Sequence, residues 1–187
     1  ERSGHYADFG TLDGMAAAIR AGFVLSGQYS HYRRRAHGQS SAHVEPQRLV
    51  AYAQNHDTVG NRPDGARPSR TRSLEQLKLA AAVLLLSPYP PQLFMGEEYA
   101  EPAPFLYFVD HVSPKLRDVV RQGRRRDFAA YFEGSNPPDP AAPETFRASQ
   151  LDLTLASRGL HAQLWYFYQR LLSLRREKPI LRQACRE

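Results

Sequence analysis

The amino-acid sequence predicts an α/β fold. Two short apolar runs, residues 49–53 and 92–96, have the length of buried strands, and each is followed at once by polar residues. Segments with apolar residues at helical spacing lie between and after them. Buried strands that alternate with helices are typical of α/β proteins with parallel strands. Two strands cannot cover these helices as a sheet, so either further strands escape the pattern or the chain is part of something larger.

The first third of the chain contains one predicted helix and one predicted loop. In "GTLDGMAAAIRAGF", Thr11 or Asp13 is a candidate N-cap and Gly22 a candidate stop. The apolar positions that share one face of this helix are Leu12, Met15, Ala16 and Ile19. Residues 27–48 are polar and without periodicity, which predicts a long loop, either a lid or an exposed connection. The strand at 49–53 follows.

A second loop and a second helix follow this strand. Residues 62–71 read as a loop, and Ser73 with Gln76 fits a capping box at the start of a helix. From Leu79 this helix is apolar nearly all round, so we expect it to be mostly buried. It ends at the prolines that precede the strand at 92–96.

The C-terminal third predicts two more helices separated by a loop. Ser113 is a candidate cap, and Pro114 occupies the first helical position, where proline is tolerated. The proline-rich residues 134–146 are expected to be irregular. A last helix ends at Lys178-Pro179, and its apolar positions are Leu164, Phe167, Tyr168, Leu171, Leu172 and Leu174.

Composition argues against several classes of protein. The net charge is +6, but only three of the 25 basic residues are lysine, which indicates a compositional bias toward arginine. The two basic clusters, residues 31–38 and 122–128, lack the aromatic and glycine pattern of RNA-binding motifs, so we expect solvated or salt-bridged arginines and no nucleic-acid partner. No apolar run is long enough for a membrane span. Cys185 is the single cysteine, which suits a reducing cytoplasm.

The candidate chemical residues lie where the two strands end. Residues 55–57, Asn-His-Asp, follow the first strand, and Glu97 and Glu98 follow the second. In α/β barrels, loops at the carboxyl ends of the strands build the active site. The alternative is that residues 55–57 form only a turn with helix-capping residues. A metal site built from His56, Asp57, Asp110 and His111 lacks a recognisable ligand spacing, so no metal is predicted.

Four motifs together resemble the alpha-amylase superfamily of glycoside hydrolases. In order they are "QNHDTVGNR", "LLLSPYPPQLFMGEEY", "PFLYFVDH" and "GRRRDF". The Asn-His-Asp triplet is shared across the superfamily, whereas residues 59–62, 95–98 and 104–111 are similar to its members that release trehalose from maltooligosyl trehalose. The resemblance covers most of residues 1–180.

The resemblance implies a role for each matching residue. Asp57 would be the third catalytic carboxylate, neither nucleophile nor general acid, which binds the reacting sugar ring and stabilises its positively charged transition state. His56 would hydrogen-bond the same ring, with Asn55, Arg62 and Glu98 as further substrate-binding residues. Arg62 is alternatively structural, and at least one of Glu97 and Glu98 is expected to be structural. No metal or organic cofactor is implied.

The resemblance also implies aromatic surfaces that bind sugar. Stacking faces for glucose rings are expected among Tyr99, Phe105, Tyr107 and Phe108, although aromatic residues at such spacing often belong to a core.

The resemblance further implies that residues 1–187 are the C-terminal part of a catalytic (β/α)8 TIM barrel, with the last two strands, 7 and 8. A whole barrel takes about 250 residues. The nucleophile and general acid, expected after strands 4 and 5, have no counterpart here, so the chain alone is expected to be inactive. The expected substrate of the full protein is maltooligosyl trehalose or a related alpha-glucan oligosaccharide. The alternatives are a glycogen branching or debranching enzyme and a non-catalytic carbohydrate-binding remnant.

Overall fold

The computed structural model describes residues 6–129 and 137–181, so Cys185 lies outside the described residues. These residues form a mixed α/β structure. The helices are α1 (Leu12–Ala21), α2 (His56–Gly60), α3 (Leu74–Leu86), α4 (Pro114–Asp127), α5 (Pro143–Ala148) and α6 (Gly159–Glu177). The strands are β1 (Tyr29–Ser30), β2 (Arg35–Ala36), β3 (Ala51–Tyr52) and β4 (Pro91–Gln92). No helix in the described ranges is both long and apolar enough to cross a membrane.

The chain folds as two compact units. The first comprises Glu1–Ala51, Val83–Gln92 and Leu172–Glu187, and the second comprises Tyr52–Ala82 and Leu93–Leu171.

Helix α1, in the first unit, has the predicted ends. The Thr11 side chain accepts a hydrogen bond from the Gly14 N–H at 3.0 Å, and Gly22 adopts the left-handed conformation (φ 87°) that ends the helix. None of its residues is buried, and the predicted apolar face is exposed, with Leu12 at 79%.

The prediction that residues 27–48 form an unstructured loop is wrong in part. Strands β1 and β2 pair antiparallel, with Tyr29 opposite Ala36 and Ser30 opposite Arg35. Asp8 stabilises this hairpin, because its carboxylate accepts hydrogen bonds from the Ser30 hydroxyl at 2.5 Å and the His31 N–H at 2.8 Å. These contacts also lower the pKa of Asp8, the Ser30 hydroxyl most of all. The polar sequence of this segment contains no signal for the hairpin, because the stabilising contacts come from Asp8, which is distant along the chain.

Both predicted buried strands are wrong in extent. Only Ala51–Tyr52 of residues 49–53 is a strand, and Val50 and Tyr52 are 57% and 47% exposed. Within residues 92–96 only Gln92 belongs to β4, while Phe94 is buried and Met95 is 47% exposed. Strands β3 and β4 form a two-stranded sheet, and the described residues place no further layer over the exposed side chains.

A buried arginine organises the carbonyl groups at the end of α3 in the first unit. The Arg175 guanidinium donates to the carbonyl oxygens of Leu85, Ser87 and Tyr89 at 2.9, 2.6 and 2.9 Å. Burial lowers the pKa of Arg175. The last carbonyls of a helix lack partners within the helix, so a buried guanidinium satisfies groups that would otherwise be unpaired.

The second unit contains the predicted starts of α3 and α4. Ser73 and Gln76 exchange the two hydrogen bonds of a capping box at the start of α3. Ser113 caps α4, with Pro114 in its first turn. Helix α6 runs through the predicted apolar positions, of which Leu164, Tyr168 and Leu171 are buried, whereas Leu172 and Leu174, which belong to the first unit, are exposed.

The prediction that residues 134–146 are irregular is wrong at its end. Helix α5 begins at Pro143, whose missing N–H costs nothing at a first helical position. Residues 134–136 lie outside the described ranges.

The second unit also has a polar interior. Arg67 is 1% exposed, and its guanidinium donates to the carbonyl oxygens of Ala103 and Met95, both at 2.8 Å. The Glu101 carboxylate, also 1% exposed, accepts hydrogen bonds from the Tyr99 hydroxyl and the N–H groups of Ala103 and Asp152. Burial lowers the pKa of Arg67, while the charge of Glu101 opposes the shift.

Candidate functional site

The Asn-His-Asp triplet starts a short helix. The Asn55 side-chain oxygen accepts a hydrogen bond from the Thr58 N–H at 2.8 Å, and the Asn55 N–H donates to the Thr58 hydroxyl at 2.9 Å. This reciprocal pair is a capping box, so Asn55 has the helix-capping role that the alternative interpretation predicted. The cap orients His56 and Asp57 as the first two residues of α2.

His56 and Asp57 are adjacent and exposed. The His56 Nε2 lies 3.5 Å from the Asp57 Oδ1, and the two side chains are 67% and 68% exposed. A carboxylate and an imidazole are thereby available to a ligand, one as a hydrogen-bond acceptor and the other as a donor. In the part of the chain that the structure describes, neither side chain hydrogen-bonds a buried group.

Arg62 lies just beyond the end of α2. Its Nε donates to the Thr58 carbonyl oxygen at 3.2 Å, and its side chain is exposed. This bond supports the interpretation that Arg62 is structural. The guanidinium of Arg62 is nevertheless exposed, so the prediction that it binds substrate stays open.

Arg124, on α4, holds the carboxyl end of α2. Its Nη2 donates to the Gly60 carbonyl oxygen at 3.0 Å, and its guanidinium carbon lies 4.7 Å from the Tyr107 ring centroid and 4.4 Å from that of Phe128. Burial lowers the pKa of Arg124. The prediction of solvated or salt-bridged arginines in residues 122–128 is therefore wrong for Arg124, because its partly buried guanidinium contacts two aromatic rings and a carbonyl.

Glu97 is structural. It is 5% exposed, and its carboxylate accepts hydrogen bonds from the Phe94 N–H at 3.1 Å and the Tyr168 hydroxyl at 3.2 Å. Burial raises its pKa to about 7, opposed by hydrogen bonds that include one from Gln54. The Gln54 contact joins the segment that follows β3 to the segment that follows β4. At least one of the two glutamates is structural, as the sequence predicted.

Glu98 differs from its neighbour. It is partly exposed, and its carboxylate makes no hydrogen bond or ion pair with any residue that the structure describes. Its carboxylate therefore remains available for the predicted contact with substrate.

The four candidate stacking aromatics divide into two groups. Tyr99 is fully buried and donates to Glu101, so the prediction of a stacking face is wrong for this residue. Phe105 packs edge-to-face against Phe94, with ring centroids 5.2 Å apart. Tyr107 and Phe108 are 40% and 37% exposed and retain surface for a sugar ring.

The four residues considered for a metal site, His56, Asp57, Asp110 and His111, do not form a cluster of ligands. Within the described ranges, no group of three or more His, Cys, Asp or Glu side chains could hold a metal ion.

Sequence reasoning overlooked three polar residues of this unit: Gln54, Arg67 and Arg124. The Gln54 Oε1 and the Arg67 Nη2 are buried and have no hydrogen-bond partner in the described part of the chain. The residues around Gln54 and Arg67 in the sequence do not indicate that either side chain is buried. For Arg124, the aromatic residue Phe128 four positions later was a usable signal, because residues four apart are neighbours on a helix.

Comparison with known proteins gives consistent relatives. No family model matches the chain. It is 42% identical over 184 residues to the malto-oligosyltrehalose trehalohydrolase of Rhizobium sp. (strain M-11), covering 97% of this chain and 31% of that protein. It is 41% identical over 177 residues to the protein of the same name from Saccharolobus solfataricus, covering 95% of this chain and 30% of that protein.

A solved structure agrees with these relatives. The crystal structure of a presumptive alpha amylase from Salmonella typhimurium matches with a TM-score of 0.86 and 38% identity, over 96% of this chain and 31% of that one. The chain thus spans about a third of the length of the proteins that it matches. Over nearly its whole length, this chain is homologous to the malto-oligosyltrehalose trehalohydrolases.

Proposed function

We propose that the chain belongs to a retaining glycoside hydrolase that cleaves the alpha-1,4 bond next to the trehalose end of maltooligosyl trehalose and releases trehalose. One observation carries the proposal. His56 and Asp57 are exposed at the start of a capped helix, in a chain 42% identical to a trehalohydrolase. Among the described residues, no buried group bonds either of these two side chains, which leaves both for a ligand.

In this proposal, Asp57 stabilises the transition state. Glycosidic bond cleavage passes through an oxocarbenium-like state in which positive charge develops on the sugar ring. A fixed carboxylate close to that ring stabilises the charge as it forms, and a donor such as His56 fixes the ring through its hydroxyl groups. Arg62 and Glu98 are further substrate contacts in this proposal. Asn55 acts through the cap that orients its neighbours.

The same proposal covers the architecture. Residues 1–187 form the C-terminal part of a (β/α)8 barrel, with β3 and β4 in its seventh and eighth strands. The nucleophile and the general acid lie in the rest of that barrel, and the reaction takes place in the cytoplasm. A TM-score of 0.86 to a presumptive alpha amylase, over about a third of that protein, supports this arrangement.

The test uses the intact protein and two substrates of equal length, maltooligosyl trehalose and a plain maltooligosaccharide, with free trehalose and reducing ends quantified separately. We expect rapid trehalose release from the first substrate and little attack on the second. Equal attack on both would indicate a less specific alpha-glucanase. Binding without turnover would indicate a carbohydrate-binding protein. Either result contradicts the proposal.

The role of Asp57 is tested by Asp57→Asn. Asparagine has nearly the same size, so the loss reports charge. We expect kcat to fall by about 10³-fold or more, because a charge opposite the developing cation is removed. The matched control is Asp13→Asn, since Asp13 is also exposed and is also the second residue of a helix. Normal turnover by Asp57→Asn would remove Asp57 from the active site.

His56→Ala is expected to lower kcat less than Asp57→Asn, because it removes a hydrogen-bond donor and leaves the carboxylate opposite the developing cation in place. The measurement is kcat and KM on maltooligosyl trehalose. A larger loss than that of Asp57→Asn would contradict the assigned roles.

A further inference from the structure

We propose that Arg124 is a positioning residue, which holds α2 in place and through it the carboxylate of Asp57. The inference rests on the proposed function for its effect on turnover, whereas the geometry that carries it lies entirely within the second unit.

Helix α2 is too short to be stable alone. It has five residues, His56–Gly60, and an isolated helix of this length does not persist in water. Its amino end is closed by the Asn55 capping box. Its carboxyl end therefore requires a tertiary partner if the orientation of Asp57 is to be fixed.

Arg124 supplies that partner. Its Nη2 donates to the Gly60 carbonyl at 3.0 Å, and its Nη1 lies 3.5 Å from the Asn61 side-chain oxygen. The Asn61 N–H in turn donates to the Asp57 carbonyl oxygen at 3.1 Å. Two consecutive hydrogen-bonded links thus connect the guanidinium to the backbone of Asp57.

Gly60 also packs against Phe105. A Cβ at this glycine would lie 3.4 Å from Cδ1 of Phe105, so the chain already approaches the ring closely. With Arg124 bonded to the carbonyl and Phe105 against the Cα, the last residue of α2 has little freedom to shift.

The contact favours arginine over lysine. A planar guanidinium stacks on aromatic rings while its N–H groups donate in its own plane, which an ammonium group cannot do. A cation at the carboxyl end of a helix also interacts favourably with the unpaired carbonyls there. The next two arginines of α4, Arg125 and Arg126, are exposed, whereas Arg124 is partly buried and hydrogen-bonds α2.

The test compares Arg124→Met with Arg126→Met as the matched control, in the intact protein. We expect Arg124→Met to lower kcat on maltooligosyl trehalose at least tenfold with KM within about twofold, because small displacements of a catalytic group are costly. Arg126→Met is expected to change neither by more than about twofold. Arg124→Lys is expected to recover only part of the loss. Full recovery would contradict the role of the planar stack.

A double-mutant cycle separates positioning from general stability. If Arg124 acts through Asp57, then Arg124→Met should change kcat less than twofold when Asp57→Asn is already present. An equal loss in both backgrounds would overturn the inference, since the arginine would then act by another route.

A measurement without substrate separates this inference from the proposed function. Amide hydrogen exchange at residues 59–61 should quicken in Arg124→Met and remain unchanged in Arg126→Met. Unchanged exchange in Arg124→Met would overturn the positioning role even in an active enzyme. If exchange quickens in Arg124→Met but the intact protein releases no trehalose, the result supports the positioning of α2 by Arg124 and contradicts only the proposed function.

Discussion

Glu97→Gln should change how the stability of the protein depends on pH. The Glu97 carboxyl is 5% exposed, and burial raises its pKa to about 7 from an ordinary value of 4.5. Glutamine has almost the same shape. Its amide oxygen can accept the hydrogen bond from the Phe94 N–H, and its amide nitrogen can donate to the Tyr168 hydroxyl, so the contacts of a protonated carboxyl are largely retained.

The magnitude follows from the two pKa values. Each unit of difference is worth about 1.4 kcal/mol, so a shift from 4.5 to about 7 corresponds to roughly 3 kcal/mol. The folded state holds the proton more tightly than the unfolded state. The contribution of Glu97 to stability is therefore fully present below pH 4.5, falls as the pH rises, and is lost by about pH 7.

The assay is denaturant unfolding of wild type and variant at a series of pH values from 4 to 8. The free energy of unfolding of Glu97→Gln, relative to wild type, should rise by about 3 kcal/mol between pH 4.5 and pH 7. The exposed Glu75→Gln is the control and should give a nearly constant difference. A constant difference for Glu97→Gln, or one that falls with pH, would refute the assignment of a buried, proton-retaining carboxyl.

Three stability predictions follow from other contacts, all measured by denaturant unfolding. Arg175→Met should cost about 3 kcal/mol, because it leaves three buried carbonyl oxygens without their donor; a loss under about 1 kcal/mol would contradict this. Gly65→Ala should destabilise by about 2 kcal/mol or more, since φ is +58° and a Cβ would lie 2.7 Å from the Phe105 backbone. Gly123→Ala, inside α4 with open space around it, should instead stabilise by up to about 1 kcal/mol, and opposite signs would contradict both assignments.

The sequence alone predicted the features that depend on near neighbours. The cap at Thr11, the stop at Gly22 and the capping box at Ser73 and Gln76 are all present. Each of these signals joins residues within four positions of one another, so the local pattern contains the whole interaction. The resemblance carried by the Asn-His-Asp triplet and its flanks likewise led to the relatives that the comparisons found.

Tertiary structure decided which apolar and charged groups are covered. Val50 and Tyr52 have strand-like sequence yet remain exposed, while Arg67, Glu97 and Glu101 are buried. An apolar run predicts burial only if other elements pack over it, and no local pattern states which elements those are.

Two arginines show most clearly that tertiary contacts, and not the local sequence, decide where a charged group is buried. Arg124 belongs to a cluster that was predicted to be solvated or salt-bridged, and Arg175 lies in the last predicted helix, yet Arg124 bonds a carbonyl 64 positions away and Arg175 one 90 positions away. The unpaired carbonyls at the ends of α2 and α3 determine where a guanidinium is useful, and folding brings the two together. The sequence by itself determined the helix caps and the His56–Asp57 candidate. Only the tertiary structure decided which residue bonds the carboxyl end of α2, because Arg124 and Gly60 lie 64 positions apart in the chain.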